Sequence, residues 1–241
     1  MEKIVSLTNS KVKKWVSLQK KKNRDILNLF LIEGEHLIEE ALKANCVDCI
    51  ITDTTCPFDF KEVYEVTPQI MKKISTHTSE VHFIAVCHKL DQGITNVKRV
   101  VLLDGIQDPG NLGTIIRSAV SFGFDAVYAS KDTCDLYNEK VIRSTQGALF
   151  SIPVIYASIV DIMKELKKDG FVTYSFALQN ASTFKDIQEK EKMAFIFGNE
   201  GNGIRKEVLD VSDEIIKIEM NHFESLNVAV ACGIVLYQFQ K

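Results

Sequence analysis

The feature that most constrains this chain is a glycine-rich turn directly after an apolar, strand-like run. Residues 194–197 are apolar, and Gly198, Gly201 and Gly203 follow around the single carboxylate of Glu200. Glycine tolerates positive φ angles and lets a ligand approach the backbone closely. In α/β proteins, the loop after a strand is where the sheet usually holds its ligand. The turn therefore predicts a binding site, although a tight turn with a solvated Glu200 explains an isolated motif of this kind equally well.

The second half of the chain alternates between strand-like and helix-like segments. Strands are predicted at 100–103, 126–129, 171–175, 194–197 and 214–218, and helices at 111–122, 138–145, 158–168 and from residue 226. Such alternation indicates a mostly parallel sheet that is covered on both faces. The fold class is therefore α/β.

The first 92 residues predict a smaller α/β unit. Its strands are expected at 28–33, 47–52, 63–67 and 82–87, and its helices at 11–22, 35–44 and 68–74. The polar stretch 88–98, which contains Gly93, is the best linker candidate. The sequence thus predicts two domains, at 1–92 and 99–241.

Composition excludes two broad classes of protein. No segment approaches the ~20 apolar residues of a membrane span, and the N-terminus lacks the apolar core of a secretory signal, which favours a cytoplasmic protein. Six cysteines in 241 residues are too few for a disulfide framework. Cys46 and Cys49 have the spacing of zinc ligands, with Cys56 and His88 as further candidates, but buried or idle thiols are the more economical interpretation.

The net charge of −3 hides a basic cluster near the N-terminus. This cluster comprises Lys11, Lys13, Lys14, Lys20, Lys21, Lys22 and Arg24. Such a cluster forms either the solvated face of a helix or a patch that neutralises nucleic-acid phosphates. Charge alone does not choose between the two.

A second informative stretch joins a strand end to a helix. After Leu103 a Pro109-Gly110 turn follows, and Asn111 is expected to cap the next helix. At 100° per residue, Asn111 and Arg117 share the face opposite the apolar one. Arg117 is therefore either an ordinary surface residue or a guanidinium held for phosphate or ribose oxygens.

A third stretch, residues 223–231, predicts the start of the last helix, with Ser225 as its cap and Asn227 in its first turn. Taken alone, it is a plain helix start. The chain has no Gly-x-Ser-x-Gly elbow, no phosphate-binding Gly-x-x-x-x-Gly-Lys loop and no Gly-x-Gly-x-x-Gly after the first strand of either half. A serine hydrolase and a nicotinamide or flavin oxidoreductase are therefore disfavoured.

Together, the three stretches resemble the ordered motifs of the SpoU (TrmH-like) family of RNA 2′-O-ribose methyltransferases in the SPOUT superfamily. The first motif is Asp108-Pro109-Gly110-Asn111-Leu112-Gly113 with Arg117, and the second is Gly198-Asn199-Glu200-Gly201 with Gly203. The third is Glu224-Ser225-Leu226-Asn227-Val228-Ala229-Val230-Ala231. Residues 1–92 are similar, through Leu31-Ile32-Glu33-Gly34, to the small RNA-binding domain that many members carry.

The resemblance implies a SPOUT-type α/β domain with a deep C-terminal trefoil knot, preceded by the RNA-binding domain. It also implies a homodimer, S-adenosylmethionine as cofactor, and methyl transfer to structured RNA, with 23S ribosomal RNA favoured over tRNA. The residues expected at the cofactor are Phe197, Gly198, Gly203, Ile218, Met220 and Leu226. Arg117 is expected at the ribose 2′-hydroxyl, and the residues expected to orient it are Asn111, Glu200, Ser225 and Asn227.

One departure from the family pattern leaves an alternative open. Related sequences usually have Ile-Pro-Met and a glycine-containing loop before the third motif, whereas this chain has Glu219 between Ile218 and Met220 and lacks that glycine. A non-catalytic RNA-binding or ribosome-assembly protein that keeps the fold is therefore the alternative prediction.

Overall fold

The computed structural model describes residues 2–77, 79–90, 93–178, 181–222 and 225–240. The chain divides into two compact units, one of Met1–Asp91 with Tyr137–Phe150 and one of Gln92–Leu136 with Ser151–Lys241. Up to residue 90 the elements are β1 (Glu2–Ile4), α1 (Ser10–Ser17), α2 (Lys21–Leu27), β2 (Leu29–Glu33), α3 (Glu35–Lys43), β3 (Val47–Thr52), β4 (Val63–Val66), α4 (Pro68–Ile74) and β5 (Phe83–His88). From residue 99 they are β6 (Arg99–Asp104), α5 (Pro109–Ser121), β7 (Ala126–Ala129), α6 (Glu139–Thr145), β8 (Val154–Tyr156), α7 (Ile159–Lys168), β9 (Val172–Phe176), β10 (Ser182–Thr183), β11 (Met193–Gly198), α8 (Lys206–Leu209), β12 (Glu214–Lys217) and α9 (Val228–Gln238).

The first unit is built on a five-stranded mixed sheet in the order β1-β4-β3-β5-β2. Its first three strands are parallel, and β5 runs antiparallel to both β3 and β2. Val12 and Trp15 of α1 pack with Ile70 of α4 over this sheet. Helix α4 starts where predicted, because Thr67 caps it and Pro68 occupies the first turn.

The predicted single helix at 11–22 is wrong, because the chain forms two helices with a turn at 18–20. Asn9 caps α1 by accepting from the amide of Lys11. Leu18 then enters the core, being 1% exposed. Arg24 of α2 donates to the carbonyls of Leu18 and Gln19 at 2.9 and 3.0 Å. These bonds satisfy carbonyls that a continuous helix would have bonded internally.

The second unit is built on a seven-stranded sheet in the order β10-β12-β9-β11-β6-β7-β8, and every neighbouring pair is parallel. The predicted α/β fold with a mostly parallel sheet is confirmed. Ile196 packs with Met163 of α7, whereas the adjacent Phe195 stacks on Phe239 beyond α9 at 5.2 Å. Since neighbouring strand residues point to opposite faces, both faces are covered. The deep trefoil knot stays a prediction.

Segment Tyr137–Phe150 differs from the predicted division, which placed it in the 99–241 domain. It joins the first unit, where α6 packs against β2. The ring of Tyr137 lies 4.5 Å from that of Phe30, and its hydroxyl accepts from the amide of Leu90 at 2.9 Å. The segment thus leaves the second unit after Leu136 and contributes a helix to the first unit's core.

Candidate functional site

The glycine-rich turn at the end of β11 is tied down by the side chain of Asn199. Its amide nitrogen donates to the carbonyl of Gly105 at 2.8 Å, and its oxygen accepts from the amides of Gly201 and Asn202 at 2.9 Å each. The backbones of Asn199 and Gly203 also exchange hydrogen bonds of 3.0 and 2.9 Å. The turn is therefore a fixed structure rather than an open loop.

Two of its glycines are required by this geometry. A Cβ added to Gly198 would lie 2.3 Å from both the carbonyl carbon of Gly203 and the amide nitrogen of Ile204. Gly203 has a φ of +69°, which other residues adopt at a cost. The close approach that Gly198 permits is therefore between two parts of the turn itself.

The buried carboxylate of Asp104, which was not among the predicted site residues, holds the end of the same turn. Asp104 is 1% exposed and accepts from the amide of Arg205 at 2.9 Å and from its Nε at 2.8 Å. The Nη2 group of Arg205 donates to Asp104 as well. This pair fixes the chain just after Gly203 to the end of β6. In the sequence, the one sign of this role is that Asp104 is an acidic residue directly after the apolar run 100–103.

Glu200 reaches from this turn to the first motif. It accepts from the backbone amides of Gln107 and Asp108 at 3.2 Å each, and from the side-chain nitrogen of Asn111 at 3.0 Å. Partial burial disfavours its charged form, but these hydrogen bonds outweigh that effect, so the pKa of Glu200 lies below its ordinary value. Glu200 is thus an ionised carboxylate whose oxygens are already used, which suits it to positioning rather than to accepting a proton.

Asn111 links the second motif to the third. Its side-chain oxygen accepts from the side-chain nitrogen of Asn227 at 2.9 Å. The predicted caps were wrong here, because Asp108 caps α5 and Asn227 caps α9 by accepting from the amides of Ala229 and Val230. The side chain of Asn111 is therefore available for this link. The chain Glu200–Asn111–Asn227 joins all three motifs in one place.

A cavity of about 580 Å³ opens beside this chain of hydrogen bonds. All six residues predicted at the cofactor line it: Phe197, Gly198, Gly203, Ile218, Met220 and Leu226. Glu200, Ser225 and Asn227 also line it, as does Phe176 at the end of β9, which sequence reasoning missed. The volume lies in the range of about 300–1,000 Å³ that is typical of small-molecule sites. Glu224, which belongs to the third motif, lies outside the described residues.

Arg117 lies on α5 but not on the wall of this cavity. It follows Asn111 by six residues, or about 9 Å along the helix. Its side chain is exposed, and within the described ranges its guanidinium makes no hydrogen bond or ion pair. The predicted polar face of α5 is confirmed in that Thr114 is also exposed, whereas Ile115 and Ile116 are buried. The role of Arg117 at a ribose stays a prediction.

The basic cluster near the N-terminus is only partly available to a ligand. Lys13, Lys14, Lys20, Lys21 and Lys22 are exposed. Lys11 instead donates to the hydroxyl of Tyr64 at 2.8 Å and to Glu2 at 3.0 Å, and these bonds raise its pKa. Arg24 is 6% exposed and donates to main-chain carbonyls, so its predicted role in RNA binding is corrected to a role in the fold.

In the described part of the chain, neither the cysteines nor the helices indicate a metal site or a membrane span. Cys46, Cys49, Cys87 and Cys232 are buried as free thiols. No group of three or more His, Cys, Asp or Glu side chains in the described part of the chain is placed to hold a metal ion. Within the same ranges, no helix has both the length and the apolar character that crossing a bilayer requires.

Comparison with protein families matches both halves of the chain. Residues 98–237 match the model of the SpoU rRNA Methylase family. Residues 9–85 match the MRM3-like substrate binding domain.

Individual proteins match over the full length. The chain is 38% identical to the 23S rRNA (guanosine(2553)-2′-O)-methyltransferase RlmP of Bacillus subtilis, with 100% of both chains covered. An S-adenosylmethionine-bound rRNA methyltransferase from Sinorhizobium meliloti is 25% identical with a TM-score of 0.88, covering 98% of this chain and 96% of that one. A TrmH-family structure from Porphyromonas gingivalis is 28% identical with a TM-score of 0.87, covering 98% of both chains.

Proposed function

The chain belongs to the SpoU rRNA methylase family, and from this premise we propose that it acts in the cytoplasm on 23S ribosomal RNA. The reaction is transfer of a methyl group from S-adenosylmethionine to a ribose 2′-hydroxyl. Full-length similarity to a 23S rRNA methyltransferase supports the substrate, as does the match of residues 9–85 to a substrate binding domain.

The observation that carries the proposal is the Glu200–Asn111–Asn227 chain beside the 580 Å³ cavity. Three loops that are distant in sequence are joined there by hydrogen bonds between side chains. Such a junction would hold a bound small molecule and a second substrate on rigid elements, and orientation of this kind is a large part of catalysis.

The residues around the cavity fit S-adenosylmethionine. Phe197, Ile218, Met220 and Leu226 offer apolar surface, and the turn at 198–203 offers backbone groups at the same wall. When bound, the cofactor supplies a methyl group on a cationic sulfur. Ile218 and Met220 line the cavity even though Glu219 replaces the usual proline between them, so the altered loop still contributes to the wall.

Arg117 is the residue that we assign to the RNA. A free guanidinium has a pKa above ~12, so it is unsuited to act as a base at neutral pH. Its planar fork is suited to hold a phosphate next to the reacting ribose and to stabilise the developing alkoxide. Asn111 and Glu200 hold the start of α5, the helix that carries Arg117. Ser225 and Asn227 would hold the opposite wall.

The direct test is transfer of labelled methyl from S-adenosylmethionine to 23S rRNA that lacks the modification, followed by nuclease mapping. We expect label on ribose at a single site. Label on a base, or on protein alone, would exclude the proposal. The non-catalytic alternative predicts that calorimetry detects no binding of S-adenosylmethionine at millimolar concentration.

We propose that the exposed lysines on α1 contact RNA phosphates. Changing Lys13 and Lys14 to glutamate should weaken binding to 23S rRNA fragments and reduce the slope of log K against log salt by about one for each phosphate that is no longer neutralised. Filter binding across a salt series measures both quantities. The matched control changes Lys164 and Lys168, two exposed lysines of α7, and should leave the slope unchanged. Equal slopes in both variants would make the α1 lysines a solvated surface.

We further propose that α9 forms the homodimer interface. Val230, Ile234 and Tyr237 repeat at helical spacing and are 52%, 41% and 62% exposed. The opposite face of α9 is buried through Cys232, Val235 and Leu236, so this helix is apolar all round. A second copy of the chain would cover the exposed stripe.

Substitution of Ile234 by aspartate should therefore convert the dimer into a monomer. Light scattering coupled to gel filtration should give twice the 27.2 kDa of one chain for the wild type and 27.2 kDa for the variant. An Ile234→Ala change, which shortens the side chain without adding charge, is the milder control. A wild-type monomer, or an unaltered mass for the aspartate variant, would contradict this interface.

A further inference from the structure

A second cavity, of about 220 Å³, lies within the first compact unit and is lined by residues other than those of the 580 Å³ cavity. It is a partly open cavity between the end of β2, the start of α3 and helix α6, and Leu31 and Ile32 contribute apolar surface. Its volume is below the ~300 Å³ at which pockets for drug-sized ligands begin. The space therefore suits a single planar group, such as a nucleobase, better than a whole nucleotide.

One wall of this cavity is rigid. The Glu33 carboxylate accepts from the hydroxyl of Ser75 at 2.6 Å, and from the amide and hydroxyl of Thr76 at 2.9 and 3.0 Å. Gly34 follows with a φ of +97°, and a Cβ there would meet nothing within 4 Å. Gly34 is the N-cap residue of helix α3, so this helix starts without a side-chain cap. The hydrogen bonds of Glu33 thus hold this wall in place, and no side chain fills the space beside Gly34.

Two opposite charges on α6 face this space without pairing. Glu139 and Arg143 both line the cavity and are four residues apart, a spacing at which helical side chains commonly form ion pairs. Among the described residues, neither side chain makes a hydrogen bond or ion pair. The neighbouring His36 is held by the carbonyl of Gln146 at 3.1 Å. Glu139 and Arg143 are therefore available to a ligand, one as acceptor and one as donor.

The charge balance of the cavity disfavours a phosphate. Glu33, Glu35 and Glu139 all line it, against the two arginines Arg24 and Arg143, so an anion would meet more carboxylates than guanidinium groups. The guanidinium of Arg24, which also lines it, already donates to main-chain carbonyls. A neutral group with separate donor and acceptor edges meets both signs of charge favourably.

Resting on the RNA methyltransferase function proposed above, we propose that this cavity, the α6 pocket, binds an unpaired guanine of the RNA substrate. Glu139 would accept from the guanine N1–H and N2–H groups, and Arg143 would donate to O6 and N7. Guanine alone among the four bases has two adjacent donors for one carboxylate beside acceptors for a guanidinium. Unpaired bases whose edges are hydrogen-bonded in pockets are the usual basis of sequence-specific RNA recognition.

Single-atom base analogues test this assignment in the full-length protein. The probes are short fluorescent oligouridines whose central residue is uridine, guanosine, inosine or 7-deazaguanosine, and anisotropy measures their Kd. The wild type should bind the guanosine probe about tenfold more tightly than the uridine probe. Inosine lacks the N2 amine and 7-deazaguanosine lacks N7, so each should lose part of this preference.

Variants on α6 then assign each edge of the base. Glu139→Gln should abolish discrimination between guanosine and inosine, and Arg143→Gln should abolish discrimination between guanosine and 7-deazaguanosine. Lys140→Gln, at an exposed residue of the same helix outside the cavity, should keep both preferences. A wild type without guanosine preference, or a preference that survives both pocket variants, would overturn the proposal.

The methyl-transfer assay on 23S rRNA separates this proposal from the function on which it rests. Ribose methylation without guanosine preference would contradict guanine binding in the α6 pocket and leave the proposed reaction intact. Guanosine preference that depends on Glu139 and Arg143, without ribose methylation, would support the pocket as a base-binding site and contradict the proposed reaction.

Discussion

Replacing Arg117 with alanine is expected to lower methyl transfer by about 10²–10³-fold or more, the loss typical of removing a group that stabilises transition-state charge. The affinity for S-adenosylmethionine should stay within a few-fold of the wild type, because Arg117 does not line the 580 Å³ cavity. Single-turnover methyl transfer and calorimetry with the cofactor measure the two quantities separately.

The physical basis for this expectation is that the guanidinium of Arg117 has no hydrogen-bond or ion-pair partner among the described residues. Its side chain is exposed on a helix whose start is held by Glu200 and Asn111, and in the described structure it forms no ion pair. An arginine that stabilised the fold would have a carboxylate or carbonyl partner, as Arg205 has in Asp104. Removal of Arg117 should therefore cost little stability and much activity.

Two substitutions control this experiment. Arg117→Lys keeps the charge but loses the planar fork, so activity should recover only in part. Ser121→Ala removes a hydroxyl that donates to the carbonyl of Arg117 on the same helix and should leave transfer unchanged. If Arg117→Ala weakened cofactor binding as strongly as it weakened transfer, Arg117 would be structural.

Much of the fold was predictable because local chemistry and tertiary structure agree. Strand β3 and helix α4 lie at their predicted bounds, since one contains the buried run Cys49-Ile50-Ile51 and the other begins with a threonine cap and a proline. The short strands β1, β8 and β10 were not predicted, because two or three residues are too few to show the alternation of polar and apolar side chains that marks a strand. Their pairing is set by neighbours in the sheet rather than by their own sequence.

The errors at 18–20 and at the helix caps have a common cause. A basic run continues the helical pattern through 11–22, and only the tertiary bonds from Arg24 to main-chain carbonyls reveal the break. In the same way, Asp108, Asn111, Ser225 and Asn227 are all residues that can cap a helix. Sequence shows that a cap is present, but the choice among adjacent candidates depends on which side chain another loop requires.

For the candidate site, the sequence predicted which residues line the cavity better than it predicted which side chains bond to one another. The six residues expected at the cofactor, together with Glu200, Ser225 and Asn227, lie on the wall of one cavity, because loops after neighbouring parallel strands converge at one edge of the sheet. Asn111 and Arg117 were also expected there but are not part of that wall. The Asp104–Arg205 pair was not foreseen, since the two residues are 101 positions apart in sequence and belong to no short motif. Likewise, nothing in residues 137–150 indicated that they would join the first unit.

Replacing Gly198 with alanine is expected to weaken binding of S-adenosylmethionine by about 100-fold or more, because overpacking in a rigid site is strongly unfavourable. The added Cβ would lie 2.3 Å from two backbone atoms, at Gly203 and Ile204. Backbone cannot rotate away as a flexible side chain can, so the turn must open. Opening it moves the wall that Gly198 and Gly203 give to the cavity and breaks the mutual hydrogen bonds of Asn199 and Gly203.

The same turn supplies graded controls for this substitution. At Gly201 an added Cβ has its nearest contact at 3.5 Å, with the side chain of Asn199, so Gly201→Ala should bind the cofactor within a few-fold of the wild type. At Gly203 the space is open but φ is +69°, and a left-handed residue costs about 1–2 kcal/mol, which predicts an intermediate loss. Calorimetry and thermal melting of the three variants should rank them Gly201, Gly203, Gly198 in order of increasing damage. Because each variant adds one methyl group to one turn, equal behaviour of Gly198→Ala and Gly201→Ala would show that close backbone packing at residue 198 does not shape the cavity.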